Sequence, residues 1–201
     1  MKAVIFCGGN VDICALRYID DGDLIVCADS GYDRALALGI VPDIIIGDMD
    51  SISADYTEND SIVYPTRKDY TDSELVIDYV IEKGADKIVM FGMIGTRFDH
   101  SFANISLLLK CRGRDAVIID KNNIIQMLFD TVTVGGNVGD TVSILPFSGD
   151  LEGVTTTGLE YPLYDSTVRI GTSLGVSNKM TGKVCTISLK KGIALIIRSN
   201  D

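Results

Sequence analysis

The stretch Asp43-Ile44-Ile45-Ile46-Gly47-Asp48-Met49-Asp50-Ser51 constrains the fold more tightly than any other. Three consecutive isoleucines leave no polar face, so they read as a short strand buried on both sides, the pattern of parallel α/β sheets. Gly47 then releases the backbone into two carboxylates spaced i and i+2. An extended chain there puts Asp48 and Asp50 on the same side. Acids at the carboxyl end of such a strand stand where open α/β sheets bind their ligands. They repel each other unless a cation lies between them, and hard carboxylate oxygens suit Mg²⁺. The competing reading is a turn in which Asp and Ser bond their own backbone, and this stretch alone does not separate the two.

The rest of the first 129 residues has the same texture. Residues 2–6 read as a strand ending in Cys7-Gly8-Gly9-Asn10. With no G-x-G-x-x-G or G-x-x-x-x-G-K-[ST] spacing, these glycines read as a turn rather than a phosphate loop. Residues 24–28 form a second strand, closed by Asp29-Ser30-Gly31 and followed by a helix that Gly39 and Pro42 stop. Residues 61–64 are another short strand. Lys68-Asp69-Tyr70-Thr71-Asp72-Ser73-Glu74 then leads into a helical run. Thr71 and Glu74 have capping-box spacing, which explains those two but leaves Asp69 and Asp72 open to chemistry. A strand at 87–91 enters the loop Gly92–Arg97. Beyond it Phe98, Phe102, Ile105 and Leu109 mark what reads as the buried stripe of a helix. Arg97 at that helix start suits a phosphate, whereas His100, the sole histidine, reads as structural. Strands at 116–119 and 124–129 close the unit.

From Asp130 onward, short alternating segments are separated by Gly, Asn and Asp turns. This predicts an antiparallel β-sandwich over 130–201, behind a mostly parallel α/β domain over 1–129. The 18 basic and 28 acidic residues give a net charge of −10, which argues against nucleic acid or an anionic membrane as partner. No apolar stretch reaches membrane-spanning length and no signal sequence opens the chain. Five cysteines without a Cys-x-x-Cys pair fit small buried residues in a reducing cytoplasm.

Asp29, Asp48 with Asp50, Asp69 with Asp72, and Arg97 with Asp99 all follow strand-like segments. In a parallel sheet those strand ends share one edge, so the four groups converge, as in a metal-assisted phosphoryl-transfer site. Taken in order, Ala28-Asp29-Ser30-Gly31, Gly47-Asp48-Met49-Asp50-Ser51, Asp69-Tyr70-Thr71-Asp72-Ser73-Glu74 and Gly95-Thr96-Arg97-Phe98-Asp99-His100 resemble the thiamine pyrophosphokinase family. In the last domain Gly158-Leu159-Glu160-Tyr161-Pro162-Leu163 and the stretch from Gly171 to Asn178 resemble it too.

The resemblance implies a Rossmann-like nucleotide domain, a C-terminal sandwich, and a homodimer with thiamine sites at the subunit interface. The implied reaction moves a pyrophosphoryl group from ATP to the thiamine hydroxyl and releases AMP, with Mg²⁺ as cofactor. By position Asp48, Asp50 and Asp72 match the family's metal acids. Asp29, Ser30, Asp69, Thr71 and Arg97 fall in its ATP and phosphate region. Asp72, Asp99, Ser177 and Asn178 fall on the thiamine side, and either Asp72 or Asp99 could orient the hydroxyl or accept its proton. Departures are Met49 for the usual Phe, Thr96 for a Gly, Lys179 for an acid, and the absence of Trp. Two rivals remain: a Mg²⁺-dependent nucleotide transferase with another alcohol acceptor, and a catalytically silent thiamine-binding regulator.

Overall fold

Strand β1 (Lys2–Phe6) lies inside the first of two units, Met1–Lys121, and its residues Ala3 to Phe6 are wholly buried. The computed structural model describes residues 1–56 and 59–200. After β1 come β2 (Leu24–Ala28), α1 (Gly31–Ala37), β3 (Ile44–Gly47), β4 (Ser61–Val63) and α2 (Asp72–Glu82). β5 (Lys87–Phe91), α3 (Phe98–Ser106) and β6 (Asp115–Ile119) complete the unit. The strands pair in parallel in the order β4-β3-β2-β1-β5-β6. Ile45 and Ile46 are buried as the triple-isoleucine pattern predicts, and a fully buried side chain of this size is worth about 1.5–3 kcal/mol.

From β1 the chain winds outward through β2, β3 and β4, then returns to lay β5 on the other flank of β1. The order therefore reverses between β1 and β5. Beyond the carboxyl ends of two such strands the following loops part and leave a crevice. α1 packs on β1 and β2, and α2 on β1, β2 and β3. α2 starts because Thr71 Oγ1 accepts the Glu74 N–H at 3.3 Å. Only half of the capping box forms, since Glu74 turns its carboxylate to Lys110 at 2.8 Å. Val76, Ile77 and Val80 are the buried face of that helix.

The aromatic stripe after Arg97 is not the buried face of α3. Phe98 is 81% exposed and Phe102 55%, and the two rings stack on each other at 6.3 Å. The face turned inward carries Ser101 and Asn104 instead, and Leu108 continues it beyond the helix. Both sets have helical spacing. The polar set wins because Ser101 and Asn104 satisfy backbone groups of the preceding loop, which apolar side chains cannot do.

The second unit, Asn122–Asp201, holds β7 (Asn123–Leu128), β8 (Thr131–Gly135), β9 (Thr141–Pro146), β10 (Leu151–Thr157) and β11 (Ser166–Val168). It continues with β12 (Asn178–Lys179), β13 (Val184–Ser188) and β14 (Ala194–Ser199). β12-β9-β14-β7 form one antiparallel layer and β11-β10-β13-β8 the other. Between them lie Val142, Ile144, Val154, Met180, Ile187 and Ile196, a sandwich core. The sequence placed the strand at 124–129 in the first domain and the boundary at 129/130, whereas the units meet at 121/122. The reason is pairing: β7 runs antiparallel to β14 from Asn123 opposite Ser199 to Leu128 opposite Ala194. Among the described residues no helix is long and apolar enough to cross a membrane.

Candidate active site

A cavity of about 520 Å³ opens at the carboxyl ends of β1, β2, β3 and β5, the reversal point of the first sheet. Its floor is acidic. Asp29, Asp48 and Asp50 each bring a carboxylate oxygen within 4.8 Å of the others. Asp29 follows β2, and its N–H donates to Ile46 O of β3 at 3.0 Å, which ties the two strand ends together. The chain is not extended between Asp48 and Asp50, as strand alternation required. Met49 is left-handed at φ +63°, and Asp29 is too at φ +46°. Such conformations cost a non-glycine residue about 1–2 kcal/mol each. The turn at Met49 brings the Asp50 N–H back to the Asp48 carboxylate, while Ser51 Oγ donates to Asp50 Oδ1 at 2.9 Å. The turn and the acid cluster are thus one structure, since the turn is what gathers the carboxylates.

Asp72, the first residue of α2, faces the same floor. Gly47 makes room for it: a Cβ there would lie 3.1 Å from both Asp72 Oδ1 and Asp29 Cβ. Lys68 Nζ bridges Asp48 Oδ2 at 3.2 Å and Asp72 Oδ1 at 3.1 Å. The first contact is a hydrogen bond. The second is an ion pair without hydrogen-bond alignment, so Asp72 Oδ1 is buried with no hydrogen-bond donor, as is Asp29 Oδ1. Burial raises the Asp72 pKa, and the negative charges of Asp48 and Asp29 add to the rise against the pull of Lys68. At Asp48 burial also pushes upward, but the Lys68 ammonium and the Asp50 N–H outweigh it and the pKa falls.

Asp29 Oδ1, buried without a hydrogen-bond donor in an all-oxygen cluster of three acids, fits a hard divalent cation. The sequence proposed Asp48, Asp50 and Asp72 as the metal set. The structure gathers Asp29 with Asp48 and Asp50 and ties Asp72 to Lys68.

The other expected residues divide. Ser30, Thr71 and Arg97 line the cavity, whereas Asp69 is exposed and does not. Arg97 grips Asp99 through Nη2–Oδ2 at 2.6 Å and Nε–Oδ1 at 3.2 Å. Its hydrogen bonds hold the Asp99 pKa down at about 2, and both side chains are exposed. His100, read as structural, is exposed and lines the cavity. Behind it Ser101 Oγ accepts the Gly95 N–H at 3.0 Å, and Asn104 Nδ2 donates to Met93 O at 2.8 Å, which fixes the loop after β5. Gly9 and Asn10 donate their N–H groups to Gly92 O and Ile94 O, which ties the loop after β1 to the loop after β5, and Gly8 and Gly9 line the cavity.

In the second unit Asn178 is buried and fully engaged. Its Oδ1 accepts the N–H groups of Tyr161 and Lys179, and its Nδ2 donates to Tyr161 O. Ser177, left-handed at φ +58°, is exposed and donates its N–H to Ser143 Oγ. Lys68, the first residue of an otherwise acidic motif, is a site residue that the sequence pattern does not single out. Its i,i+4 spacing to Asp72 was the available signal.

Residues 15–119 match the family profile described as "Thiamin pyrophosphokinase, catalytic domain", and residues 131–194 that of its "vitamin B1 binding domain". A thiamine pyrophosphokinase of Bacillus subtilis is 36% identical over 196 residues, covering 92% of this chain and 91% of that one. The crystal structure of thiamine pyrophosphokinase from Bacillus subtilis superposes with a TM-score of 0.91 at 33% identity, over 100% of both chains. That from Geobacillus thermodenitrificans gives 0.89 at 32%, over 100% of this chain and 98% of the other. Fold, ordered motifs and relatives agree, and the chain belongs to the thiamine pyrophosphokinase family.

Proposed function

We propose that the chain transfers the pyrophosphoryl group of ATP to the hydroxyl of thiamine, giving thiamine diphosphate and AMP. The observation that carries this reading is the Asp29, Asp48 and Asp50 cluster with Asp72 beside it, at the reversal point of a parallel sheet. Mg²⁺ held by Asp29, Asp48 and Asp50 would neutralise phosphate charge and favour the departure of AMP. Ser30, the loop after β5 and Arg97 line the cavity in which the triphosphate would lie, although Arg97 is paired with Asp99. The thiamine oxygen forms its bond to the β-phosphorus as the bond from that phosphorus to the α-phosphate oxygen breaks, and AMP leaves with the electron pair. Asp72 takes the hydroxyl proton. Between the two candidate bases, burial supports Asp72 by raising its pKa, while Asp99 is held near 2 by Arg97 and is a poor proton acceptor.

On the thiamine side the exposed Ser177 is the better candidate, because Asn178 is buried with both Oδ1 and Nδ2 bonded to backbone. A homodimer that completes the thiamine site belongs to the same reading. Five free cysteines, four of them buried, are consistent with a reducing compartment such as the cytoplasm. The test is AMP release from ATP and Mg²⁺ with and without thiamine. Thiamine-dependent AMP, reduced about 10²–10³-fold in Asp48→Asn, supports the reading. AMP released only with another alcohol, or binding of thiamine without AMP, contradicts it.

A further inference from the structure

Lys68 is the one residue of the acidic floor that the proposed reaction leaves without a task. Its ammonium sits between a carboxylate of the three-acid cluster, Asp48, and the separate carboxylate of Asp72. Its side chain is 12% exposed and lines the cavity. Asp29, Asp48, Asp50, Asp72, Lys68 and Arg97 supply the cavity's formal charges. Arg97 is already neutralised by Asp99. Lys68 is therefore the cation that offsets the floor, and a triphosphate entering this cavity would otherwise meet four carboxylates.

We propose that Lys68 is a tethered counter-ion that serves two partners in turn: it bridges Asp48 and Asp72 in the metal-free protein, and it moves to the phosphates of the nucleotide when a divalent cation takes over Asp48. Competition for the same carboxylate drives the exchange. Two cations on Asp48 repel each other, and a flexible four-carbon stem lets the ammonium leave its partner without moving the backbone. The two ends of the bridge are of nearly equal length, 3.2 Å to Asp48 and 3.1 Å to Asp72, so Lys68 holds both carboxylates until one is taken over. Once Lys68 turns away, the Asp72 carboxylate is freed toward the substrate hydroxyl, and metal loading is thereby coupled to the readiness of the base. The inference rests on the phosphoryl-transfer reading of this site, and its test separates the two.

The test compares wild type with Lys68→Gln, which keeps a donor and loses the charge, and with Lys68→Arg. Affinity for Mn²⁺ alone is measured by electron paramagnetic resonance. Affinity for the Mg²⁺ complex of α,β-methylene-ATP, which cannot be cleaved at the reacting bond, is measured by calorimetry. Lys68→Gln is expected to bind Mn²⁺ several-fold more tightly, because the competing cation is gone, and the nucleotide analogue about tenfold more weakly. Lys68→Arg is expected to restore analogue affinity to within about threefold of wild type. Opposite changes for the two ligands are the signature that a purely structural ion pair does not produce. Unchanged or weaker Mn²⁺ binding, or unchanged analogue binding, in Lys68→Gln overturns the inference. Both measurements are made without turnover, and thiamine-dependent AMP release by wild type is followed separately, so a failed reaction assignment and a failed role for Lys68 give different results.

Discussion

Replacing Asp29 by Asn is expected to stabilise the metal-free protein while removing its response to metal. Asp29, Asp48 and Asp50 bring oxygens within 4.8 Å of one another. At that separation two like charges cost about 0.9 kcal/mol in water and about 3.5 kcal/mol at an effective dielectric of 20. Asp29 faces two such partners, one of them partly neutralised by Lys68, and its Oδ1 is buried with no hydrogen-bond donor. A net gain of about 1–3 kcal/mol follows, which for a chain of this length raises Tm by about 2–12 °C. Asn is the suitable substitution because it tolerates the left-handed backbone at φ +46°, so no new strain is added. The assay is thermal unfolding in EDTA and in Mg²⁺ at about a hundred times its Kd. Wild type should gain about 2.7 kcal/mol from that much metal, and Asp29→Asn only a small fraction of it. A variant that melts below wild type in EDTA, or that keeps the full Mg²⁺ gain, would refute the reasoning.

Three further outcomes are expected. Asn178→Ala should lower stability by about 1–3 kcal/mol, since it removes a buried amide and its hydrogen bonds to the backbone N–H and C=O of Tyr161, and should leave the KM for thiamine unchanged; urea unfolding and steady-state kinetics check this, and a raised thiamine KM at unaltered stability would restore it as a ligand. Burial pushes the thiols of Cys7 and Cys111 from an ordinary 9.0 up to about 12 and about 11. Folding thus favours the protonated thiol, so the stability contribution is complete below pH 9 and lost as pH rises toward 11–12, by about 1.4 kcal/mol per pH unit for each thiol. Urea midpoints from pH 8 to 10.5 should show that slope and Cys111→Ala should reduce it; an equal slope in the variant would contradict the burial. Light scattering at micromolar protein should give twice the chain's 21.7 kDa, and a fully active monomer would remove the dimer from the account.

Much of the site was legible because parallel topology turns local pattern into location. Each buried strand ends at the same edge, so Asp29, Asp48 and Asp72 could be brought together from spacing alone. What failed to show was geometry set by non-local partners. β7 looks like its neighbours in sequence, yet it pairs with the last strand of the chain. The Phe98 and Phe102 stripe has helical period, but period alone does not say which of two faces is turned inward. Asp48 and Asp50 do converge, through a left-handed turn at Met49 that no residue preference announces. Asn178 sits in a motif that resembles a ligand loop, whereas its amide serves as backbone support for Tyr161. β10 alternates through threonines and a glycine rather than apolar residues, and β11 is only three residues long, so neither carries a strand pattern in the sequence.

The central claim is that Pβ and Pγ travel together to thiamine. ³¹P NMR of a reaction containing the protein, ATP, Mg²⁺ and thiamine tests it directly, since each phosphorus is seen in its product. The account predicts AMP and thiamine diphosphate rising in equal amounts from the start, with no ADP and no thiamine monophosphate; the early appearance of ADP with thiamine monophosphate, or AMP with free pyrophosphate, would contradict it.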